Sequence, residues 1–343
     1  MPRQSSQHVP NRRETRRNPD TSLDDAAQNT ILPDNAIRAI VIRAHGLWYE
    51  VKLQEGTRHG DVLIATMRGQ LKKRRQRTDI VAVGDRVHVI ELPDDEAAIV
   101  AVEPRSRALV RTARNTRDTE QVIVANPDQV MFVFAIADPE PHVRMLDRFI
   151  ILAEQQDLPV RIVVNKADLV DDNAPYNVDS VFGIYRGLYP VHIVSAETGQ
   201  GIPELRDALL GQTTVVAGPS GVGKSSLLNA INPENQREVS AVSTATGKGR
   251  HTTIGARLHE IDENTFVADT PGMRALAMHA IPAQELDHAF IEFRPFLGLC
   301  FYQDCTHVHE PDCAIKHAVE SGQIGRERYD SYVALRTDAA GRP

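Results

Sequence analysis

The chain has 343 residues, 41% of them hydrophobic and 25% charged, a composition that fits a folded globular protein of two or three domains. A net charge of -7 excludes a globally basic nucleic-acid binder, so any such contact must come from a local patch. No apolar run approaches the ~20 residues of a membrane helix, and the N-terminus lacks a signal peptide's apolar core, so a cytoplasmic chain with no membrane partner is expected.

Residues 1–36 are polar, carry RRETRR at Arg12 to Arg17, and are expected to form a disordered basic arm. Residues 37–107 change to short alternating segments split by Gly, Pro and Asp turns. About five strands at this spacing predict a small β-barrel of the OB-fold type. Within it, Arg68, Lys72, Lys73, Arg74, Arg75 and Arg77 make a basic loop suited to an RNA phosphate backbone. Trp48 and Tyr49 are expected in the barrel core.

From residue 108 to 284 the pattern is α/β, and alternating strands and helices predict a doubly wound, mostly parallel sheet. Val130 to Ile136 reads as a buried strand and Arg144 to Gln155 as an amphipathic helix. Val160 to Asn165 is a strand that ends in Asn165-Lys166-Ala167-Asp168. Another strand follows, ending in Ser195-Ala196-Glu197. Next comes a β-branched strand, Thr213 to Ala217, running into GPSGVGKSS. That stretch fits the phosphate-binding loop G-x-x-x-x-G-K-[ST] between a strand and a helix. Its residues Gly218, Pro219, Ser220, Gly221, Val222, Gly223, Lys224, Ser225 and Ser226 would wrap a nucleotide's phosphates with backbone N–H groups at a helix N-terminus. Lys224 would reach the β- and γ-phosphates, and the Ser225 hydroxyl would ligate Mg²⁺.

The base is read elsewhere. A carboxylate at Asp168 can accept from both N1–H and the exocyclic amine of guanine, whereas adenine would leave it unpaired. Lys166 can lie along the base, and the Ser195–Ala196 turn can offer an N–H to guanine O6. The cofactor is thus expected to be GTP or GDP. Two more strands, RLHEID and TFVAD, lead to Asp269-Thr270-Pro271-Gly272. Asp269 would hold Mg²⁺ through water, and Gly272 N–H would meet the γ-phosphate. The stretch STATGKGRHTT between the P-loop and Asp269 suits a switch loop in which Thr252 or Thr253 meets the metal, Thr253 being preferred.

The order of these motifs is the informative feature. Base recognition precedes the P-loop, so the G domain is circularly permuted. At GPSGVGKSSLLN, NKADLV and GRHTT the chain resembles the ribosome small-subunit-dependent GTPase A (RsgA) family, over nearly its whole length apart from residues 1–36. The resemblance implies a GTPase that binds the small ribosomal subunit and its rRNA late in maturation, with no DNA partner. A monomer is expected. Met273 stands where many GTPases have a water-orienting glutamine, which predicts slow hydrolysis without a partner. His251 is the candidate to orient the water, the competing role being an exposed or RNA-contacting loop residue. Because Asp269–Gly272 runs on into the C-terminal unit, that unit is expected to shift with the nucleotide state.

The three cysteines of the chain, Cys300, Cys305 and Cys313, lie together in residues 285–343 with His307 among them. A Cys₃His set fills a tetrahedral site and predicts one structural Zn²⁺ with no open position for chemistry. His309 and His317 are rival ligands. Helices are expected to flank the site at 283–296 and 314–336, with Arg326 and Arg328 facing RNA.

Overall fold

The computed structural model describes residues 32–68, 80–112, 120–170, 177–232, 256–269 and 285–340. The basic loop beyond Arg68, the switch stretch with His251, Thr252 and Thr253, and Thr270 to Gly272 lie outside the described residues.

Five strands close the N-terminal barrel: β1 Ile37–His45, β2 Trp48–Leu53, β3 Val62–Met67, β4 Arg86–Glu91 and β5 Glu96–Val102. β1 pairs with β2, β2 with β3, β3 in parallel with β5, β5 with β4, and β4 returns to β1. Alternation along each strand sends every second residue inward. Ala39, Val41, Tyr49, Val51, Leu53, Leu63, Val87 and Ile99 fill the interior. Tyr49 is in the core as expected, but Trp48 is not. Trp48 follows the turn out of β1, is 38% exposed, and stacks on His45 with ring centroids 3.7 Å apart. The strand's period of two forces neighbouring residues onto opposite faces, so both could not be core.

A hairpin that the sequence pattern did not reveal comes next, β6 Ala108–Thr112 against β7 Glu120–Ala125. It ties back to the barrel, where Ala125 N–H donates to the Val83 carbonyl at 2.7 Å and Asn126 Nδ2 donates to the Gly84 carbonyl at 3.1 Å.

The α/β unit contains β8 Gln129–Ala135, α1 Val143–Glu154, β9 Val160–Asn165, α2 Val178–Phe182, β10 Val191–Ile193, α3 Ile202–Asp207, β11 Thr213–Ala217, α4 Lys224–Ile231, β12 Arg257–Asp262 and β13 Thr265–Asp269. The spatial order is β10-β9-β8-β11-β13-β12, all parallel except β12. Every residue of β8 is buried, as befits a central parallel strand covered on both faces. Its alternate side chains split between two cores. Val130, Phe132 and Phe134 pack with Leu146, Phe149 and Ile150 of α1, and Met131, Val133 and Ala135 pack with Leu205 of α3 and Leu227 of α4. The sheet runs on into the barrel through the pair Arg43↔Arg257.

The C-terminal unit has α5 Leu286–Ala289, a 3₁₀ stretch Ile291–Phe296, α6 Ala314–Glu320 and α7 Arg326–Ala340. The expected helix over 283–296 is broken because Phe290 is extended (φ -86°, ψ 100°), and Pro295 cannot supply a helical N–H. Phe290, Phe293, Ile315 and Tyr332 pack here with Ile151 from α1, so the unit's core is shared with the α/β unit.

Arg328 corrects the expectation of an RNA-facing residue. Its side chain is 1% exposed and pairs with Asp147 of α1. It is also bidentate to Glu292, at 2.6 and 3.2 Å. Its guanidinium carbon sits 4.5 Å from the Phe290 ring centre. Arg326 does reach the surface, 71% exposed beside Asp330.

Candidate nucleotide and metal sites

In a doubly wound sheet the ligand crevice lies beyond the carboxyl ends of the strands. Register places the site residues there. Asn165 pairs across β9–β8 with Ala135, and Asp269 pairs across β13–β11 with Val216, two residues before Gly218. Ser195 follows β10 at the same edge.

The P-loop leaves β11 at Gly218, whose φ is +152°. A β-carbon there would lie 2.1 Å from the Val133 carbonyl oxygen, so only glycine lets the loop turn over the central strand. At its far end Gly223 has φ +86°, and a β-carbon would come 2.5 Å from Asn165 Nδ2. Ser225 and Ser226 are exposed at the start of α4. Lys224 bends back over the loop and donates from Nζ to the Gly218 carbonyl at 3.0 Å and the Pro219 carbonyl at 2.5 Å.

Asn165 joins three motifs. It is 1% exposed, its Nδ2 donates to the Val222 carbonyl of the P-loop at 2.9 Å, and its Oδ1 accepts from Ala196 N–H at 3.1 Å. Asp168 is exposed at the crevice. The buried Ser195 hydroxyl accepts from Thr198 N–H at 3.1 Å and so turns its own proton to the Asp168 carboxylate. Ser195 N–H donates to the Gln200 carbonyl at 3.0 Å, and a base oxygen would reach Ala196 N–H only by sharing it with Asn165. Lys166 has a left-handed backbone (φ 63°), unusual for a lysine, and its ammonium donates to the Asp138 carbonyl on the loop after β8. The structure thus brings Asn165, Lys166, Asp168, Ser195, Ala196, the P-loop and Asp269 to one edge. Gly272, His251 and Thr253 lie outside the described residues.

The second cluster is Cys300, Cys305, His307 and Cys313, whose ligand atoms all lie within 4.8 Å of one another. His307 Nδ1 is 3.5 Å from both Cys300 Sγ and Cys313 Sγ, and those sulfurs are 3.9 Å apart. A zinc tetrahedron with Zn–S near 2.3 Å has S···S edges of about 3.8 Å, so the donor set fits the ion. Burial pushes the Cys305 thiol up to about 12 and raises Cys313 as well. Cys300 goes the other way: burial raises it, but the Ala314 N–H, the neighbouring thiols and His307 together lower it by more. Three crowded sulfurs of this kind become thiolates together only around a cation. His309 and His317, the rival ligands, are both exposed and outside the cluster.

Sequence reading missed the residues that hold this cluster. Asp287 Oδ2 lies 3.7 Å from His307 Nε2, the ring nitrogen turned away from the sulfurs, and can set the ring's orientation. Glu310 accepts from the Thr306 hydroxyl at 2.6 Å and from the N–H groups of Thr306, Val308 and His309. Tyr329 and Tyr332 donate to the carbonyls of His307 and Thr306, each at 2.8 Å. Asp287 lies well before the first cysteine and belongs to no ligand spacing.

Comparison with known proteins agrees with this geometry. The sequence model of the family described as RsgA GTPase matches residues 102–279. The small ribosomal subunit biogenesis GTPase RsgA of Gemmatimonas aurantiaca is 44% identical over 306 residues, covering 88% of this chain and 97% of that protein. The crystal structure of YjeQ from Thermotoga maritima superposes with a TM-score of 0.73 at 37% identity, over 90% of this chain and all (100%) of that one. YloQ, described as a circularly permuted GTPase, gives 0.72 at 28% identity, over 92% of this chain and 99% of that one.

Proposed function

The chain belongs to the RsgA GTPase family and is a GTPase, and from that premise we propose that it hydrolyses GTP in the late maturation of the small ribosomal subunit. On this reading the subunit stimulates hydrolysis, and hydrolysis is coupled to release. The observation that supports guanine specificity most directly is Asn165, which ties the base-recognition strand, the Ser195–Ala196 turn and the P-loop into one rigid pocket. With the P-loop as phosphate cradle, the base falls beside Asp168 and Lys166. Ser225 and Thr253 would ligate Mg²⁺ directly and Asp269 would hold it through water. Mg²⁺ would neutralise the developing phosphate charge, and this chain's residues position it. Met273 at the glutamine place leaves the attacking water to His251.

We further infer a cytoplasmic monomer whose barrel and basic loop, Arg68 to Arg77, contact rRNA. The Cys₃His cluster would carry one structural Zn²⁺, which leaves no open position for catalysis.

Multiple-turnover hydrolysis with purified small subunits, large subunits or neither tests the proposal. Stimulation by the small subunit alone supports it. Equal rates in all three arms overturn the ribosomal coupling. Asp168→Asn should exchange GTP for xanthosine triphosphate as substrate, and an unchanged preference for GTP would refute the base assignment. Loss of small-subunit-stimulated turnover in His251→Ala, with nucleotide and subunit binding intact, is the result required of the water-orienting role.

A further inference from the structure

The loop after β8, residues 136–142, takes no part in the motifs above, yet it runs beside both halves of the pocket. Pro139 Cδ lies 3.6 Å from where a β-carbon on Gly221 of the P-loop would stand. The Lys166 ammonium donates to the Asp138 carbonyl, and the Asp138 carboxylate lies 3.9 Å from that same ammonium. Asp138 has a left-handed backbone (φ 45°), a conformation aspartate tolerates better than most residues. Its side chain is 91% exposed, so its acceptor lone pairs are largely unspent among the described residues.

This placement has a consequence for the nucleotide, and it rests on the reading of the pocket proposed above. The base is fixed beside Lys166 and Asp168, and the α- and β-phosphates are fixed by the loop that includes Gly221. The sugar must bridge the two. Asp138 stands on the segment that bonds the Lys166 anchor and passes beside Gly221, and a carboxylate is a good acceptor for a vicinal diol. Dinucleotide-binding folds solve the same problem with an acidic residue on ribose hydroxyls. We propose that Asp138 reads the ribose hydroxyls of the bound nucleotide and makes the site selective for ribonucleotides over deoxyribonucleotides.

The test is calorimetric binding of GDP, 2′-deoxy-GDP and 2′,3′-dideoxy-GDP, with Mg²⁺ and no label on the sugar. It uses the full chain and its Asp138→Ala and Asp138→Asn variants. The wild type should bind GDP about tenfold tighter than the dideoxy form, the loss of roughly one charge-assisted hydrogen bond. Asp138→Ala should bind GDP as weakly as the dideoxy form, with dideoxy affinity itself unchanged within about twofold. Asp138→Asn, which keeps one acceptor oxygen, should fall between. Equal weakening of all three ligands would show that Asp138 acts only by placing Lys166, and the proposal falls. Absence of sugar discrimination in the wild type also overturns it. Failure of the wild type to bind GDP at all would instead refute the nucleotide site itself.

Discussion

Replacing Arg328 by methionine removes the charge at the join between the C-terminal unit and α1 while keeping most of the side-chain volume. The guanidinium and its partners are all buried, with side-chain exposures of 1%, 3% and 5% for Arg328, Asp147 and Glu292. Burial alone disfavours a charged arginine there, but the carboxylates of Asp147 and Glu292 outweigh it and hold the guanidinium ionised. Tyr185, raised far above its ordinary value by burial and by Asp147, stays a neutral donor to that carboxylate at 2.7 Å. In Arg328→Met, Asp147 keeps only Tyr185 of these two partners, and Glu292 loses both of its bonds to the guanidinium. Removing one partner of such a buried set costs about 3–5 kcal/mol, whereas neutralising the whole set is far cheaper. Native-state hydrogen exchange reads this directly. Amides of α7 and α1 should exchange roughly 10²–10⁴ times faster in Arg328→Met, while the distant barrel strands keep wild-type rates. The triple variant Asp147→Asn, Glu292→Gln, Arg328→Met should recover at least half of that loss. Protection within a factor of about three of wild type in the single variant would refute a buried, energetically coupled network, because it corresponds to less than about 1 kcal/mol.

Asn165→Ala removes both bonds that tie the P-loop to the Ser195–Ala196 turn, and GDP affinity should fall roughly 10- to 150-fold, since the buried Val222 carbonyl is left unpaired and the loop loses its tie to the turn. Gly223→Ala drives its new methyl to 2.5 Å from Asn165 Nδ2 and should weaken binding similarly; a double variant no worse than either single one is expected, and full additivity would show that the two act separately. Metal analysis should find one zinc per chain, and its removal by a chelator should abolish exchange protection in 296–320 while GDP binding persists. Substoichiometric zinc, or protection unaffected by chelation, would refute a structural site. In the barrel, Asp85 is fully buried (0% exposed), bidentate to Arg105 at 2.8 and 2.7 Å, and bonded to Ala82 N–H. Arg105→Met should therefore destabilise the barrel by about 3–5 kcal/mol, seen as a lower midpoint in denaturant with retained zinc content. A midpoint matching wild type would contradict this assignment.

The parts of this protein that were legible in its sequence are those where one residue meets a local backbone demand. Gly218 and Gly223 sit where a β-carbon would collide, Asn165 ends a strand of β-branched residues, and three cysteines share one short stretch. What escaped were roles assigned by residues distant in the chain. Arg328 looks like one more solvated charge on a helix with little amphipathic signal, and its ion-pair partner Asp147 is 181 residues away. Asp287 and Tyr332 support the Cys₃His cluster from outside any ligand spacing. Asp138 is an unremarkable loop acid until folding brings Lys166 against it.

The buried network also bears on how a nucleotide signal would reach the C-terminal unit. The sequence suggested transmission along the chain from Asp269–Gly272 through 273–284, which lies outside the described residues. A second route is visible. Residues 136–142 bond Lys166 and pass beside Gly221 at one end, and they lead directly into α1. α1 in turn carries Asp147 to Arg328, Glu154 to Arg294 at 2.6 Å, and Ile151 into the C-terminal core. Swinging the C-terminal unit away from α1 would expose that apolar core to water and break the Arg328 set. A nucleotide-driven displacement of this unit is therefore cheaper if α1 moves with it as one body. Spin labels across α1 and α7 should keep a constant separation between GDP and a non-hydrolysable GTP analogue, while either label changes its distance to the barrel. A change in the α1–α7 distance itself would show that the network breaks in the cycle and that the linker carries the signal.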